Sequence, residues 1–371
     1  MIFKNAFIID EQFNKVKADL EIQGETITAI GNLNGKDEID CSDLTVMPGM
    51  IDLHIHGSRL ADCSSDNVRD IQTVSRSLAE NGITSFCPTT MTLSEDALKG
   101  AFSAIRSCMG REEGAYIHGI NMEGPYLSHE KKGAQADEHI RTPDINEFRR
   151  LREICPICLV DVAPEVPGAD AFAREASNDC TVSAAHTAAS YEQTVEAFAN
   201  GFSHATHLFN AMTPIQHRAP GVPSAVFDSE SVTAELICDG FHIHPAVLRM
   251  AFRLLGKDRA VVVSDSMPAA QVGDGTYQLG GQTVYVKSGK ATLADGTIAA
   301  STTNLFEEYK NLLRFGVDPQ QAIRACTINP ARVIGQDRVT GSLAVGKRAD
   351  ILITDDSLRL KAVFIKGKQI R

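Results

Sequence analysis

Eight apolar runs of strand length stand between residues 50 and 264, at 50–56, 82–89, 116–122, 157–163, 181–185, 202–206, 232–238 and 260–264. Helical patterns at 68–80, 94–109, 169–177, 191–200 and 245–255 separate most of them. Ser190 followed by Gln193 is a capping-box signature, and Gly201 stands where a helix stop belongs. This alternation predicts an α/β fold, a (β/α)8 TIM-like barrel. Active sites in that architecture gather at the C-terminal ends of the strands.

The two ends of the chain read differently. Short alternating segments occur at 6–9, 19–22 and 26–30, broken by Gly24, Gly31 and Gly35. The pattern returns at 349–354 and 361–365, with Gly341, Gly346 and Gly367 at turns. Residues 1–47 and 341–371 are therefore expected to form one small β-sandwich domain around the barrel at 48–340. The glycine-rich stretch 273–297 alternates in the β manner at Gln282–Lys287, which predicts a hairpin excursion, not a ninth barrel strand.

Bulk properties narrow the function classes. A chain of 371 residues can bury a large core, and 43% hydrophobic with 22% charged residues is ordinary for a soluble protein. No apolar run approaches the ~20 residues that span a bilayer, and the start lacks a signal-peptide pattern, so no membrane partner and a cytoplasmic location are expected. Net charge of −11, with no basic cluster carrying interleaved aromatics, argues against nucleic acid. The nine scattered cysteines do not form a disulfide framework, and Cys155-Pro-Ile-Cys158 reads better as buried thiols than as a redox pair.

Chemistry-bearing side chains recur at the ends of these runs. His54 and His56 share a face of one strand, because side chains alternate along it. Glu123 ends an apolar run before Gly-Pro, where a buried carboxylate needs a partner or a cation. His186 ends a run of small residues. In His-Ala-Thr-His, strand parity selects His207 as the ligand and sends His204 to the opposite face as a packing or supporting residue. Glu123, His186 and His207 would form a three-ligand site with an open position, as catalytic zinc requires. Asp265, inward-facing after Ala-Val-Val-Val, suits proton transfer beside the ion. A second His-x-His at His242 and His244 competes as a ligand pair, although Arg218 and His242 are better suited to an anionic group such as phosphate. Lys131 and Lys132 are further candidates for an anion pocket.

These motifs resemble the N-acetylglucosamine-6-phosphate deacetylases of the metal-dependent amidohydrolase superfamily. The resemblance runs nearly end to end, through Pro-Gly-Met-Ile-Asp-Leu-His-Ile-His-Gly at 48–57, Glu-Gly-Pro-Tyr at 123–126 and Lys-Gly-Ala-Gln at 132–135. It continues through His-Ala-Thr-His-Leu-Phe-Asn-Ala-Met at 204–212, His-Arg-Ala-Pro-Gly at 217–221, Asp-Gly-Phe-His at 239–242 and Ser-Asp-Ser-Met at 264–267. It implies Glu123, His186 and His207 as the main ligands of one divalent cation, zinc by preference, with room for a second ion at His54 and His56. It implies Asp265 as the proton carrier in amide hydrolysis. Ala134, Gln135, Asn210, Ala211, Arg218, His242, Ile298, Ala299 and Ala300 match positions that hold a phosphorylated amino sugar, and Gln135 is a candidate for steadying the oxyanion. A homodimer is implied, because a neighbouring subunit completes the family's pocket. The chain departs from relatives at Ser58–Cys63, where a glycine-rich loop is common, and at Ala219, where glutamate is common.

Three rivals remain at this level. Deacetylation of the galactosamine epimer needs the same contacts. A cyclic amidase would more often bridge two ions with a carboxylated lysine. A non-catalytic barrel should have lost a ligand or Asp265, and none is missing.

Overall fold

The computed structural model describes all of residues 1–371. Eight parallel strands, here β1 (Met50–Ile55), β2 (Ile83–Thr90), β3 (Ile120–Tyr126), β4 (Ile157–Val162), β5 (Thr181–Ala184), β6 (Phe202–Ala205), β7 (Thr233–Leu236) and β8 (Ala260–Val262), pair in chain order. The ring closes just beyond β8, where Ile55 bridges Ser266 and Asp265 N donates to His54 O at 2.9 Å. The fold is a TIM-like barrel, as the alternation predicts.

Local signals set the helices between strands. Val68–Glu80 starts at Asn67, whose side chain accepts from Arg69 N, and buries Ile71, Val74 and Leu78. Tyr191–Ala199 carries both halves of the Ser190/Gln193 capping box. The expected strand at 116–122 is two pieces, Tyr116–Ile117 and Ile120–Tyr126. Gly119 separates them, and a Cβ there would lie 2.7 Å from Cys158 Sγ and 2.8 Å from Pro156 O, so only glycine allows the approach.

The lower end of the barrel is filled by Ile51, Leu53, Cys87, Leu159, Ile237, Val261 and Val263, closed by Ala331 of the helix Ile328–Val333. A larger shell, including Phe86, Phe102, Phe148 and Phe252, packs helices on the outside. Cys155 and Cys158 are unpaired, like every cysteine of the chain.

Both chain ends share one eight-stranded sheet, in which Thr45–Pro48 pairs antiparallel with Ile351–Thr354 and parallel with Ile2–Ile9. Its far edge, Thr26–Gly31, meets the lead-in to Ile351–Thr354 through an Ile27 N to Lys347 O bond, so the sheet curls back on itself. Phe3 and Phe364, from opposite ends of the chain, stack edge to face at 5.0 Å inside it. The hand-over to the barrel falls at Pro48–Gly49. The stretch after β8 forms a three-stranded antiparallel sheet, Gly275–Leu279, Gln282–Lys287 and Lys290–Thr292, packed over Met91 and Met267. No helix is long and apolar enough to cross a membrane.

Candidate metal centre

Six side chains from β1, β3 and the ends of β5, β6 and β8 converge at the C-terminal mouth, each at most 7% exposed. Glu123 Oε1 lies 3.0 Å from His186 Nε2 and 3.2 Å from His207 Nε2, and the two imidazole nitrogens are 3.1 Å apart. On the other side, His54 Nε2 and His56 Nε2 are 3.2 Å apart, and His56 Nε2 is 3.2 Å from Glu123 Oε2. Glu123 is thus common to two three-ligand groups. Asp265 Oδ1 stands 3.3 Å from His56 Nε2 and 3.7 Å from His54 Nε2.

A divalent cation fits these donors. Zinc bonds of about 2.0–2.1 Å in a tetrahedron place neighbouring donor atoms about 3.3 Å apart, close to the 3.0–3.2 Å of the Glu123, His186 and His207 triangle. Tautomers are consistent with this. His186 Nδ1 donates to Lys131 O at 2.8 Å, and His54 Nδ1 donates to Glu235 Oε2 at 3.0 Å, which leaves each Nε2 lone pair facing the centre. Two converging lone pairs at 3.1 Å repel unless a cation or proton lies between them.

The backbone does part of the aiming. His186, His207 and Asp265 have φ of +43°, +30° and +44°, in the left-handed region that costs non-glycine residues about 1–2 kcal/mol each. Each lies two or three residues past the end of a strand, so a left-handed turn swings the side chain over the mouth. Strand parity therefore does not select His207. It also misplaces His204, which lies buried inside the barrel with Nε2 3.3 Å from Glu235 Oε1. The supporting role expected for His204 stands; the face does not.

Charge concentrates here. Burial alone would lower the His54 imidazolium, yet the carboxylates of Glu235, Glu123 and Asp265 hold it well above the ordinary histidine range. Burial opposes His56 likewise, and Glu123 and Asp265 push it up to about 9. Burial would raise Asp265, but His54 and His56 keep it below the usual carboxylate range, as an ionised base. Just below, burial and Glu235 push Asp161 up to about 8. So many buried carboxylates demand positive charge, whether from protons or a cation.

A cavity of about 570 Å³ opens over the centre. Ala134, Gln135, Asn210, Ala211, His242, Ile298, Ala299 and Ala300 all line it, with Lys131 and Lys132 at its rim. The Gln135 carboxamide is already engaged: Nε2 donates to Glu123 Oε2 and Oε1 accepts from Thr92 N at 2.7 Å. It holds the Glu123 carboxylate instead of standing free. His242 Nδ1 bonds Asp239 Oδ2 at 2.7 Å, and His244 caps the helix Pro245–Arg259, so this His-x-His is no ligand pair. Arg218 is exposed and does not line this cavity. The Ser58–Cys63 departure is a tight hairpin, with Arg59 and Leu60 at φ +52° and +67°.

Sequence reasoning passed over Glu235, which is fully buried beneath the centre. The signal was available: an acid flanked by Ala234 and Leu236 inside an apolar parallel strand must be compensated by partners.

Comparison with known proteins agrees with the geometry. The amidohydrolase family model matches residues 45–370. The N-acetylglucosamine-6-phosphate deacetylase of Bacillus subtilis (strain 168) is 34% identical over 334 residues, 88% of this chain and 84% of that protein. The N-acetylgalactosamine-6-phosphate deacetylase of Escherichia coli O157:H7 is also 34% identical, over 86% of each chain. Among solved structures, a mutant N-acetyl-D-glucosamine-6-phosphate deacetylase from Mycobacterium smegmatis, in complex with N-acetyl-D-glucosamine-6-phosphate, superposes with a TM-score of 0.92. It is 29% identical, and the match covers 100% of this chain and 99% of that one.

Proposed function

The chain belongs to the amidohydrolase family, and from that premise we propose that it hydrolyses the acetamide of N-acetylglucosamine 6-phosphate to glucosamine 6-phosphate and acetate. The observation that carries this reading is the shared Glu123 carboxylate, within 3.2 Å of two histidine nitrogens beneath a sugar-sized cavity with Asp265 at its edge. We take the cation to be zinc, one ion at Glu123, His186 and His207, with His54 and His56 able to hold a second. When bound, such an ion supplies Lewis-acid chemistry, lowering the pKa of water from about 16 towards about 7 and polarising the amide carbonyl.

Asp265 Oδ1 receives the proton of the attacking water as oxygen bonds to the acetyl carbon, and returns it to the sugar nitrogen as the C–N bond breaks. His54 and His56 keep that carboxylate ionised beforehand. His242, its Nδ1 tied to Asp239, presents Nε2 to the cavity, and with Lys131 and Lys132 gives an acidic protein a local pocket for a phosphate. Binding energy from that phosphate orients the amide. Exposed Arg218 would serve a neighbour's cavity in a homodimer. Beside it, Ile215, Met250 and Leu254 are each about half exposed around an apolar groove, a suitable seat for a second copy. A charged sugar phosphate does not cross membranes unaided, which favours the cytoplasm as the place of work.

The Escherichia coli relative's name keeps the galactosamine epimer as a second reading. Acetate release is to be measured from both sugar phosphates, with and without chelator. Faster kcat/KM on the glucosamine form, abolished by chelation and restored by zinc, is expected. A reversed preference moves the function to the other epimer, and chelator-insensitive turnover removes the metal mechanism.

A further inference from the structure

Glu235 makes more contacts with the centre than any packing role requires. It sits mid-strand on β7 with no exposed surface. Its Oε2 accepts from His54 Nδ1 at 3.0 Å and from His207 N at 3.1 Å, while Oε1 faces His204 Nε2 at 3.3 Å. His204 is in turn held by Thr233 Oγ1, 2.6 Å from Nδ1. One carboxylate oxygen therefore grips the two three-ligand groups at once, the ring of a ligand in the first and the backbone of a ligand in the second.

We propose that Glu235 is a positioning residue that couples the two halves of the centre, fixing the His54 tautomer and aim while pinning His207 in its left-handed turn. The proposal rests on the reading above that the centre holds a divalent cation. A buried carboxylate in this place is costly unless its partners compensate it. Here each oxygen has a partner, and the Oε2 partners belong to residues that face the cation. Histidines that bind metals through Nε2 owe their orientation and basicity to such a partner on Nδ1, and its loss weakens metal binding roughly 10- to 100-fold. His56 and His207 lack that support, since neither Nδ1 has a hydrogen-bond partner. His54 is the one histidine of the centre whose Nδ1 meets a carboxylate, so Glu235 is the lever on its donor strength.

Glu235→Gln keeps the volume and an accepting oxygen and removes the charge. Metal-free wild-type and variant proteins are to be titrated with Zn²⁺ against a chromophoric chelator, and cobalt-loaded forms compared by visible absorption. The variant is expected to bind Zn²⁺ roughly 10- to 100-fold more weakly, with a shifted cobalt spectrum. At saturating metal, kcat should fall while KM holds, because Glu235 does not line the cavity. A folded variant with wild-type affinity and an unchanged cobalt spectrum would overturn the proposal. Should the Gln variant not fold, Glu235→Asp takes its place: the shorter side chain keeps the charge but cannot span both partners, and undiminished affinity there overturns it equally. Failure of wild-type protein to bind Zn²⁺ would sink the metal reading instead, so the two failures are distinct.

Discussion

The two ends of the barrel treat the same residue type in opposite ways. At the mouth, His54 and His56 sit among carboxylates that hold them above the ordinary histidine range. At the other end His118, between the barrel and the terminal sheet, is pushed down to about 3 by burial and by the cations Arg348 and Lys366. The mouth gathers buried carboxylates, whose charge protonated histidines or a cation relieve. The floor is filled by leucine, isoleucine and valine, and its one histidine is kept neutral. Stability is concentrated where the strands begin, and reactivity where they end.

That division can be broken in three places. Asp265→Asn at the mouth should lower kcat by roughly 100- to 10,000-fold while zinc content, read by atomic emission, stays near that of the wild type. Turnover within a few-fold of wild type would remove Asp265 as the proton carrier. Leu159→Ala on the floor should do the reverse, costing about 2–5 kcal/mol in urea unfolding with little change in kcat per folded molecule. A large loss of kcat there would mean that the two ends are not separable. The smallest effect concerns acid. His118 binds its proton near pH 6.5 when unfolded but only near 3 when folded. Its contribution is therefore complete above pH 6.5 and is lost as pH falls from there towards 3, by at most about 1.4 kcal/mol per unit. In urea midpoints between pH 7.5 and 5, His118→Gln should show a shallower acid decline than the wild type; parallel curves would place the acid sensitivity elsewhere.

The sequence was most readable where periodicity is strict. Seven of the eight barrel strands and the helices Val68–Glu80 and Tyr191–Ala199 lie where apolar spacing and caps put them, while the strand expected at 116–122 is displaced to Ile120–Tyr126. The converging donors were visible because each stands at the end of an apolar run. Two kinds of feature escaped. Parity arguments failed at His204 and His207, since one left-handed residue after a strand redirects everything beyond it. Acids inside strands were passed over: Asp52, Asp161 and Glu235 are fully buried, and their partners come from other strands that no local pattern pairs with them. Arg218 marks another limit: it is exposed and lies outside the cavity of its own chain, which no local pattern reports.

The curled sheet at the floor has a consequence for biogenesis. Thr45–Pro48, which leads directly into the strand carrying His54 and His56, pairs on one side with Ile2–Ile9 but on the other only with Ile351–Thr354, about 300 residues later. During synthesis that second side must wait for nearly the whole polypeptide to emerge, and contacts so distant along the chain form slowly. The last pairing to become available is then at the opposite pole of the molecule from the converging donors.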